Sequence, residues 1–255
     1  MLPEQRKRRM VELVREYDGR SVSALAADLD VSKATVRRDL GGLEEEGLIE
    51  RSHGGAVPAT AIGHEQSYQQ REVQHLDAKI AIGERALEAI HEGDVVVFDS
   101  GTTTVQAAKR APGRGSFVAV TNSPLVALEL ASSDVEVSMT GGTLRQPTRS
   151  LVGPSTEWFL EQRHFDLAFI GTNGLDSSGT LTTPNESEAH VKALMVERAE
   201  RVVLLADATK FGERSAVQFA DVADVDVLIT DGRPDGAIAD ALEEAATETT
   251  IVDAQ

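Results

Sequence analysis

Six consecutive polar residues, Asp99-Ser100-Gly101-Thr102-Thr103-Thr104, follow an apolar run that ends at Phe98. Placed between a strand and a helix, such a glycine-bearing loop offers backbone N–H groups and hydroxyls to an anion at the helix N-terminus. The segment fits neither G-x-x-x-x-G-K-[ST] nor G-x-G-x-x-G, so we do not expect a nucleoside triphosphate or a dinucleotide. The pattern favours a small monophosphate, and ordinary loop and helix-cap chemistry is the alternative.

Lysines are scarce in the chain, and two of them are candidates for neutralising such a phosphate. Lys192 lies in a helical segment and Lys210 in a Thr-Lys-Phe-Gly sequence, where surface charge is the alternative for each. Asp99 and Asp207 could hold sugar hydroxyls or could cap their own loops. The four lysines that follow residue 56 are Lys79, Lys109, Lys192 and Lys210.

A second group of residues that could do chemistry lies near the N-terminus, on a predicted helix over residues 31–47 that Ser32 can cap. A buried stripe of Val36, Leu40 and Leu43 turns Arg37 and Arg38 towards solvent. Arginine recognises guanine edges and phosphates, so this helix is a candidate for reading DNA, with a plain solvated surface as the alternative. The exposed candidates are Lys33, Thr35, Arg37 and Arg38.

The elements around that helix favour a winged helix-turn-helix. A first helix runs from Pro3 to Asp18-Gly19 with Met10, Leu13, Val14 and Tyr17 on its apolar face, and Ser23 is the predicted N-cap of a short second helix. After Gly47, a β-run, a Gly54-Gly55 turn and a second apolar run predict a hairpin. Arg51 and His53 would lie on this wing. We expect Gly41-Gly42 to soften the middle of the DNA-reading helix.

The rest of the chain predicts a mainly parallel α/β sheet. Residues 58–75 are polar and aperiodic and predict a linker with at most a fraying helix, and residues 76–90 predict an amphipathic helix with Ile80, Gly83, Leu87 and Ile90 on one face. Short β-branched runs then alternate with helical segments. Polar and glycine residues follow each run, as expected for a ligand crevice at the carboxyl ends of the strands. The runs are 95–98, 117–120, 135–139, 167–170, 202–206 and 225–230.

Composition restricts the class of protein. The 255 residues have a net charge of −17, and residues 1–55 contribute only −1 of it, which points to a separate module for a polyanion. The excess of acidic residues with only 6 lysines favours a cytoplasm at high salt, and a GC-rich genome is the alternative. There is no cysteine, no signal-like start and no long apolar run, so we expect a soluble cytoplasmic protein without a membrane partner.

Residues 21–57 closely resemble the DNA-binding signature of DeoR/GlpR-type transcriptional regulators, in which residues 32–40 would be the recognition helix and residues 51–56 the following arginine-x-histidine-glycine-glycine-alanine. Further along the chain, the sequence is similar to the effector domain of the same family. The resemblance implies a fold like that of sugar-phosphate isomerases and a phosphorylated sugar as effector. It assigns the effector contacts to Asp99, Gly101, Thr102, Thr103, Thr121, Asn122, Gly141, Gly142, Lys192 and Lys210, with Thr209 in place of the family's serine.

These observations lead to one preferred function and one rival. The preferred function is a repressor of fructose, glucose or glycerol catabolic genes that binds double-stranded operator DNA as a dimer or tetramer and is released by a phosphorylated sugar. The rival is an aldose–ketose isomerase fused to a DNA-binding module, for which Asp99, Glu188 and Asp207 are candidate bases. The six histidines lack metal-ligand spacing, and no cofactor is expected. The predicted division is a DNA-binding domain at 1–57, a linker at 58–75 and a sensor at 76–255.

Overall fold

The computed structural model describes residues 3–17, 19–45, 48–52, 54–58, 66–113, 115–132 and 135–253. The chain divides into two compact units, Met1–Gln66 and Ser67–Gln255. In the described residues, each unit has apolar side chains packed in a core of its own.

The first unit is the predicted winged helix-turn-helix. Its described residues form α1 (Pro3–Glu16), β1 (Arg20–Ser21), α2 (Val22–Asp28), α3 (Lys33–Glu45), β2 (Ile49–Ser52) and β3 (Gly55–Pro58). The strands pair antiparallel in the order β1-β3-β2, so the predicted hairpin gains a third strand from the segment before α2. Met10, Val14, Leu25, Val36 and Leu40 are fully buried and hold the three helices together.

Two local predictions for this unit are wrong. Ser21 rather than Ser23 is the N-cap of α2, because its Oγ accepts a hydrogen bond of 3.1 Å from the Ala24 N–H. Tyr17 lies beyond the end of α1, is 52% exposed, and has the Arg20 guanidinium 4.0 Å from its ring centre, so it does not join the apolar stripe. α3 continues through Gly41 and Gly42.

The second unit alternates strands and helices. Its described elements are α4 (Tyr68–Val73), α5 (Leu76–Ala86), β4 (Val95–Phe98), α6 (Thr102–Arg110), β5 (Val118–Thr121), α7 (Pro124–Leu130), β6 (Glu136–Met139), β7 (Thr143–Arg145), β8 (Ser150–Val152), α8 (Pro154–Glu161), β9 (Phe165–Gly171), β10 (Gly174–Leu175), β11 (Thr180–Thr183), α9 (Glu186–Glu197), β12 (Ala199–Leu205), β13 (Val217–Asp221), β14 (Val227–Thr230), α10 (Gly236–Glu244) and β15 (Glu248–Ile251).

A parallel sheet forms the centre of this unit, with the order β15-β14-β12-β9-β4-β5-β6 in the described residues. All six predicted strands are in it, and every neighbouring pair is parallel, which confirms the predicted fold class. Its two faces are buried in different cores, since Val96 and Phe98 pack in one and Val97 in the other. Because all of these strands run parallel, their carboxyl ends meet at a single edge of the sheet.

The part of the predicted linker that the structure describes contains a helix. Residues 68–73 form α4, which begins with a capping box between Ser67 and Gln70 and buries Tyr68 in the core of the second unit. The following helix ends earlier than predicted, at Ala86, and its buried face carries Ile82 and Lys79, whereas Ile80 is only half-buried. No helix among the described residues has the length and apolar character needed to cross a membrane.

Candidate functional site

A cleft opens at the carboxyl edge of the parallel sheet. It is open to solvent. The structure brings together seven of the predicted effector residues on its walls, from the segments that follow β4 and β12 and from the helices α6 and α9. These seven are Ser100, Gly101, Thr102, Thr103, Lys192, Asp207 and Lys210.

The loop after β4 presents the open N-terminus of α6 to the cleft. Gly101 is the N-cap and has no side chain to accept from the first turn, so the N–H groups there are available to an anion. A Cβ at Gly101 would lie 2.9 Å from Asp99 Oδ1, so the tight loop requires glycine at this position. Ser100, Thr102 and Thr103 add hydroxyl groups to this wall of the cleft.

Asp99 lies beneath this loop and holds it in place. Its carboxylate accepts hydrogen bonds from Gly101 N (2.5 Å), Thr104 Oγ1 (2.8 Å) and Gly171 N (2.8 Å), and it pairs with the Lys192 ammonium. Burial alone would raise the pKa of Asp99, but Lys192 and the backbone N–H donors outweigh it and hold the pKa below its usual range. The carboxylate is saturated with donors and lies outside the cleft lining, as does Thr104.

The two predicted lysines differ in what surrounds them. Lys192 is paired with Asp99 and donates to the Gly171 carbonyl oxygen at 2.8 Å, so its charge is compensated within the protein. Lys210 is half-buried on the cleft wall, and no carboxylate of the described residues pairs with it. Lys210 is therefore the more available cation for a bound anion.

Asp207 combines one satisfied and one free oxygen. Its Oδ1 accepts from the backbone N–H of Thr209 at 3.1 Å and from the Thr209 hydroxyl, so the threonine keeps the hydroxyl contact that a serine would make. Its Oδ2 is buried without a hydrogen-bond partner in the described part of the chain. A buried carboxylate oxygen without a donor is costly, and a ligand hydroxyl in the cleft would satisfy it.

Sequence reasoning missed the cleft wall that α4 and α5 provide. Arg71, Gln74, His75 and Lys79 all line the cleft. Lys79 is 3% exposed and donates to the carbonyl oxygens of Arg71 and Gln74, the second at 2.7 Å. The signal was in the sequence, because Lys79 precedes Ile82, Gly83 and Ala86 by three, four and seven residues on the buried face of α5.

Besides Asp99 and Thr104, four more of the predicted effector residues do not line the cleft. Thr121 donates to the Phe98 carbonyl oxygen at 2.8 Å and so links the ends of β5 and β4. The Asn122 amide donates to Leu151 O at 3.1 Å and so links the loop after β5 to β8. Gly141 and Gly142 have φ values of 71° and 109°, and a Cβ at Gly142 would meet Thr156 Oγ1 at 2.2 Å. The glycines thus serve the backbone path between β6 and β7.

The predicted DNA-reading residues lie together on one side of α3. Lys33, Arg37 and Arg38 are exposed, and no acidic side chain among the described residues pairs with the two arginines. Ser32 accepts from the Thr35 N–H at 3.1 Å, as predicted for its role as a cap. A buried ion pair between Arg6 and Asp39, 2.7 Å long, fixes α3 against α1. Arg51 is exposed on β2, and His53 lies outside the described residues.

Comparison with known protein families assigns both units. Residues 6–61 match the DeoR-like helix-turn-helix domain, and residues 74–232 match the DeoR C terminal sensor domain. The chain belongs to the DeoR family of transcriptional regulators.

Relatives of this DeoR-family chain match along nearly its whole length. It is 56% identical to the HTH-type transcriptional regulator GlpR of Haloferax volcanii, over 99% of this chain and 98% of the relative. It is 34% identical to the HTH-type transcriptional repressor GlcR of Bacillus subtilis, again over 99% and 98%. The predicted family is confirmed.

Among solved structures, ribose 5-phosphate isomerase A from Methanocaldococcus jannaschii aligns with 54% of this DeoR-family chain and 55% of its own, with a TM-score of 0.42 and 14% identity. A likeness this distant supports no conclusion about activity.

Proposed function

We propose that this DeoR-family regulator is a repressor that binds operator DNA through α3 and the wing and releases it when a phosphorylated sugar occupies the cleft. The observation that carries the proposal is the open N-terminus of α6 beside Lys210, whose charge has no carboxylate partner in the described residues. A helix N-terminus and a nearby ammonium group together favour a phosphate dianion.

The rest of the cleft supports a ligand with hydroxyl groups. Asp207 Oδ2 needs a donor, which a sugar hydroxyl supplies and a second phosphate does not. Glu188 and Asn173 add further acceptors to the wall. A phosphorylated sugar or polyol carries both the anion and the donors that these residues require.

The arrangement of carboxylates argues against the isomerase. A general base must have a free oxygen beside the substrate, with a pKa suited to accepting a proton. Asp99 has every oxygen engaged and a lowered pKa, and Glu188 Oε1 accepts from Ser150 at 2.5 Å and from the Thr148 hydroxyl. Asp207 remains as a candidate, and we assign it to hydroxyl binding. Incubation with ribose or fructose phosphates tests this, since turnover would favour the isomerase.

Regulators of this kind act on two-fold operators, so we infer a homodimer or homotetramer acting in the cytoplasm. Residues 1–57 with the wing would bind DNA, and the second unit would sense the effector. The names of the relatives GlpR and GlcR, together with the composition, lead us to propose glycerol, glucose or fructose catabolic genes as targets.

Operator release and ligand binding can be measured together to test this function. Fructose 1-phosphate, glucose 6-phosphate and glycerol 3-phosphate are titrated into the protein by calorimetry and into its operator complex by fluorescence anisotropy. Losing a hydrogen bond to a charged group costs about 1.5–3 kcal/mol, so Lys210→Ala should weaken phosphate binding by about 10- to 100-fold. Thr102→Val should act in the same direction.

Both variants should still bind operator, and therefore repress permanently. Lys109→Ala is the matched control, because Lys109 lies on α6 outside the cleft. The proposal fails if an unphosphorylated sugar binds as tightly as its phosphate, or if both cleft variants bind the phosphate normally.

A further inference from the structure

The outward face of α3 carries a methyl group between its two arginines. Ala34 is exposed in the first turn of this helix. At about 3.6 residues per turn, Ala34 lies about 180° around the helix from the buried Leu43, and its angular position falls between those of Arg37 and Arg38. The arginines follow it by three and four residues, so the three side chains share one face. A surface that both arginines reach therefore also faces the methyl group of Ala34.

The rotation of α3 about its own axis is fixed by the packing of the first unit. Arg6 Nε donates to Asp39 Oδ2 at 2.7 Å in a buried ion pair with α1, and Val36 and Leu40 are fully buried against the neighbouring helices. Rotation of α3 would separate the ion pair and expose both apolar side chains. Ala34 is therefore held facing outward.

Thr35 was predicted to help specify bases, but its hydroxyl is engaged in the cap of α3. Thr35 is half-buried, its Oγ1 lies 2.9 Å from Ser32 Oγ, and its N–H donates to the same serine oxygen at 3.1 Å. Lys33 and Thr35 lie about 100° to either side of Ala34 around the helix. In this first turn, Ala34 thus points most directly away from the core of the unit.

A methyl group can recognise a base only by apolar contact. Recognition helices place their N-terminal residues at base edges in the major groove, where the apolar group on a base edge is the C5 methyl of thymine. We propose that Ala34 is a specificity-determining residue, whose methyl group contacts the C5 methyl of one thymine in each operator half-site. This rests on the proposed function for the placement of α3 in the major groove, but the methyl contact is measured separately.

Removal of single methyl groups from the DNA tests the proposal. The probe is a duplex that the full chain selects from a random-sequence library, with deoxyuridine replacing thymine at one symmetric pair of positions at a time. Deoxyuridine keeps the base pair and lacks only the C5 methyl. At one such pair, wild-type affinity should fall by about fourfold per half-site, because one buried methyl group is lost. Fluorescence anisotropy measures the affinities.

Glycine variants locate the partner of that thymine. In Ala34→Gly, deoxyuridine at the same pair should leave the affinity unchanged. Ala34→Ser, which keeps a Cβ but places a hydroxyl against the thymine, should also lose the discrimination. Ala27→Gly is the matched control, because Ala27 is an exposed alanine of α2 whose replacement removes the same methyl group at a similar cost in helix propensity. It should discriminate between thymine and deoxyuridine as the wild type does.

The double Arg37→Ala, Arg38→Ala variant on the same duplex separates this proposal from the proposed function. If this variant binds as tightly as the wild type, or if the full chain selects no duplex, the proposed function is contradicted. The thymine contact is overturned if the arginine variant loses binding while no deoxyuridine pair weakens the wild type. Full discrimination in Ala34→Gly, or its loss in Ala27→Gly, overturns the contact as well.

Discussion

The two buried lysines of the second unit differ in how their charges are compensated. Lys192 forms a salt bridge with Asp99, and this pair supports the loop before α6. Lys79 has only carbonyl oxygens as partners in the described residues. The sequence cannot tell these two lysines apart, because both lie on helices among apolar residues. Only the order of the strands in the folded sheet places Asp99, in the loop after β4, next to Lys192. Both lysines line the cleft, and we expect the uncompensated Lys79 to attract an anion there more strongly than Lys192 does.

Effector affinity should therefore depend on pH through Lys79. Burial lowers its pKa to about 8, and Asp207 and Glu72, which raise it, are opposed by Lys210 and Arg71. The charged form binds the anion, so affinity is highest below pH 8 and falls as pH rises through 8. One linked proton limits this fall to about tenfold per pH unit.

Calorimetry between pH 7 and pH 9 measures this effect cleanly. The second pKa of a phosphate monoester is about 6, so the ligand stays a dianion throughout. Lys79→Gln should show a flat profile over the same range. An equal slope in Lys79→Gln would show that another group carries the proton.

Arg37 and Arg38 are the residues with which we expect α3 to hold DNA. Both are exposed and have no acidic partner among the described side chains, so no ion pair must break before they bind. A bidentate arginine–guanine contact contributes about 1–3 kcal/mol, which makes Arg38→Ala weaker in specific binding by roughly ten- to a hundredfold. Gel shift on operator DNA measures this. Unchanged affinity in the double Arg37→Ala, Arg38→Ala variant would remove α3 from the interface.

At the scale of elements, two helical glycines should respond in opposite ways to the same substitution. A Cβ at Gly83 would lie 2.7 Å from Ala107 N, because α5 and α6 approach closely there. Overpacking of this kind costs about 1–3 kcal/mol, so Gly83→Ala should destabilise the second unit by that amount. Denaturant unfolding followed by circular dichroism measures it, and an unchanged midpoint would show that the helices separate freely.

Gly41→Ala is the opposite case. Gly41 lies inside α3, and beyond the neighbouring backbone of that helix no atom of the described residues lies within 4 Å of the position that its Cβ would take. Alanine is better than glycine in a helix interior by about 0.5–1 kcal/mol, so the first unit should gain that stability. Operator binding should be retained. A loss of stability would mean that the glycine pair has a role that its surroundings do not show.

Much of the architecture follows from sequence, whereas the site follows only in part. Short β-branched apolar runs and the polar loops that follow them predicted six strands and their common edge, because a parallel strand buried on both faces has a strong local signature. β15 was missed, since Glu248 and Thr249 are exposed on an edge strand and lack that signature. The family resemblance assigned Asn122 and Gly142 to the effector, whereas in the structure both lie outside the cleft lining, in loops packed next to Leu151 and Thr156, and a motif match cannot show such packing.

At the scale of the whole molecule, the two units differ strongly in net charge. Residues 67–255 carry −15 of the net charge of −17, and residues 1–66 carry the remaining −2. An acidic unit repels the phosphate backbone of DNA, so the first unit must supply the attraction. High salt reduces both effects, because the Debye length falls to about 3 Å at 1 M.

The two units should therefore separate as fragments with different ligands. Residues 1–66 contain a complete apolar core of their own, and so do residues 67–255. We expect the first fragment to bind operator DNA more weakly than the full chain, because association of the second unit no longer pairs two recognition helices on one site. The second fragment should bind the phosphorylated sugar with the affinity of the DNA-free full chain and should not shift operator DNA.

In the full chain, operator must weaken sugar-phosphate binding by the factor by which the sugar phosphate weakens operator binding. Calorimetry and gel shift on both fragments and the full chain measure all of these quantities, and tighter operator binding by residues 67–255 than by residues 1–66 would reverse the assignment of the units.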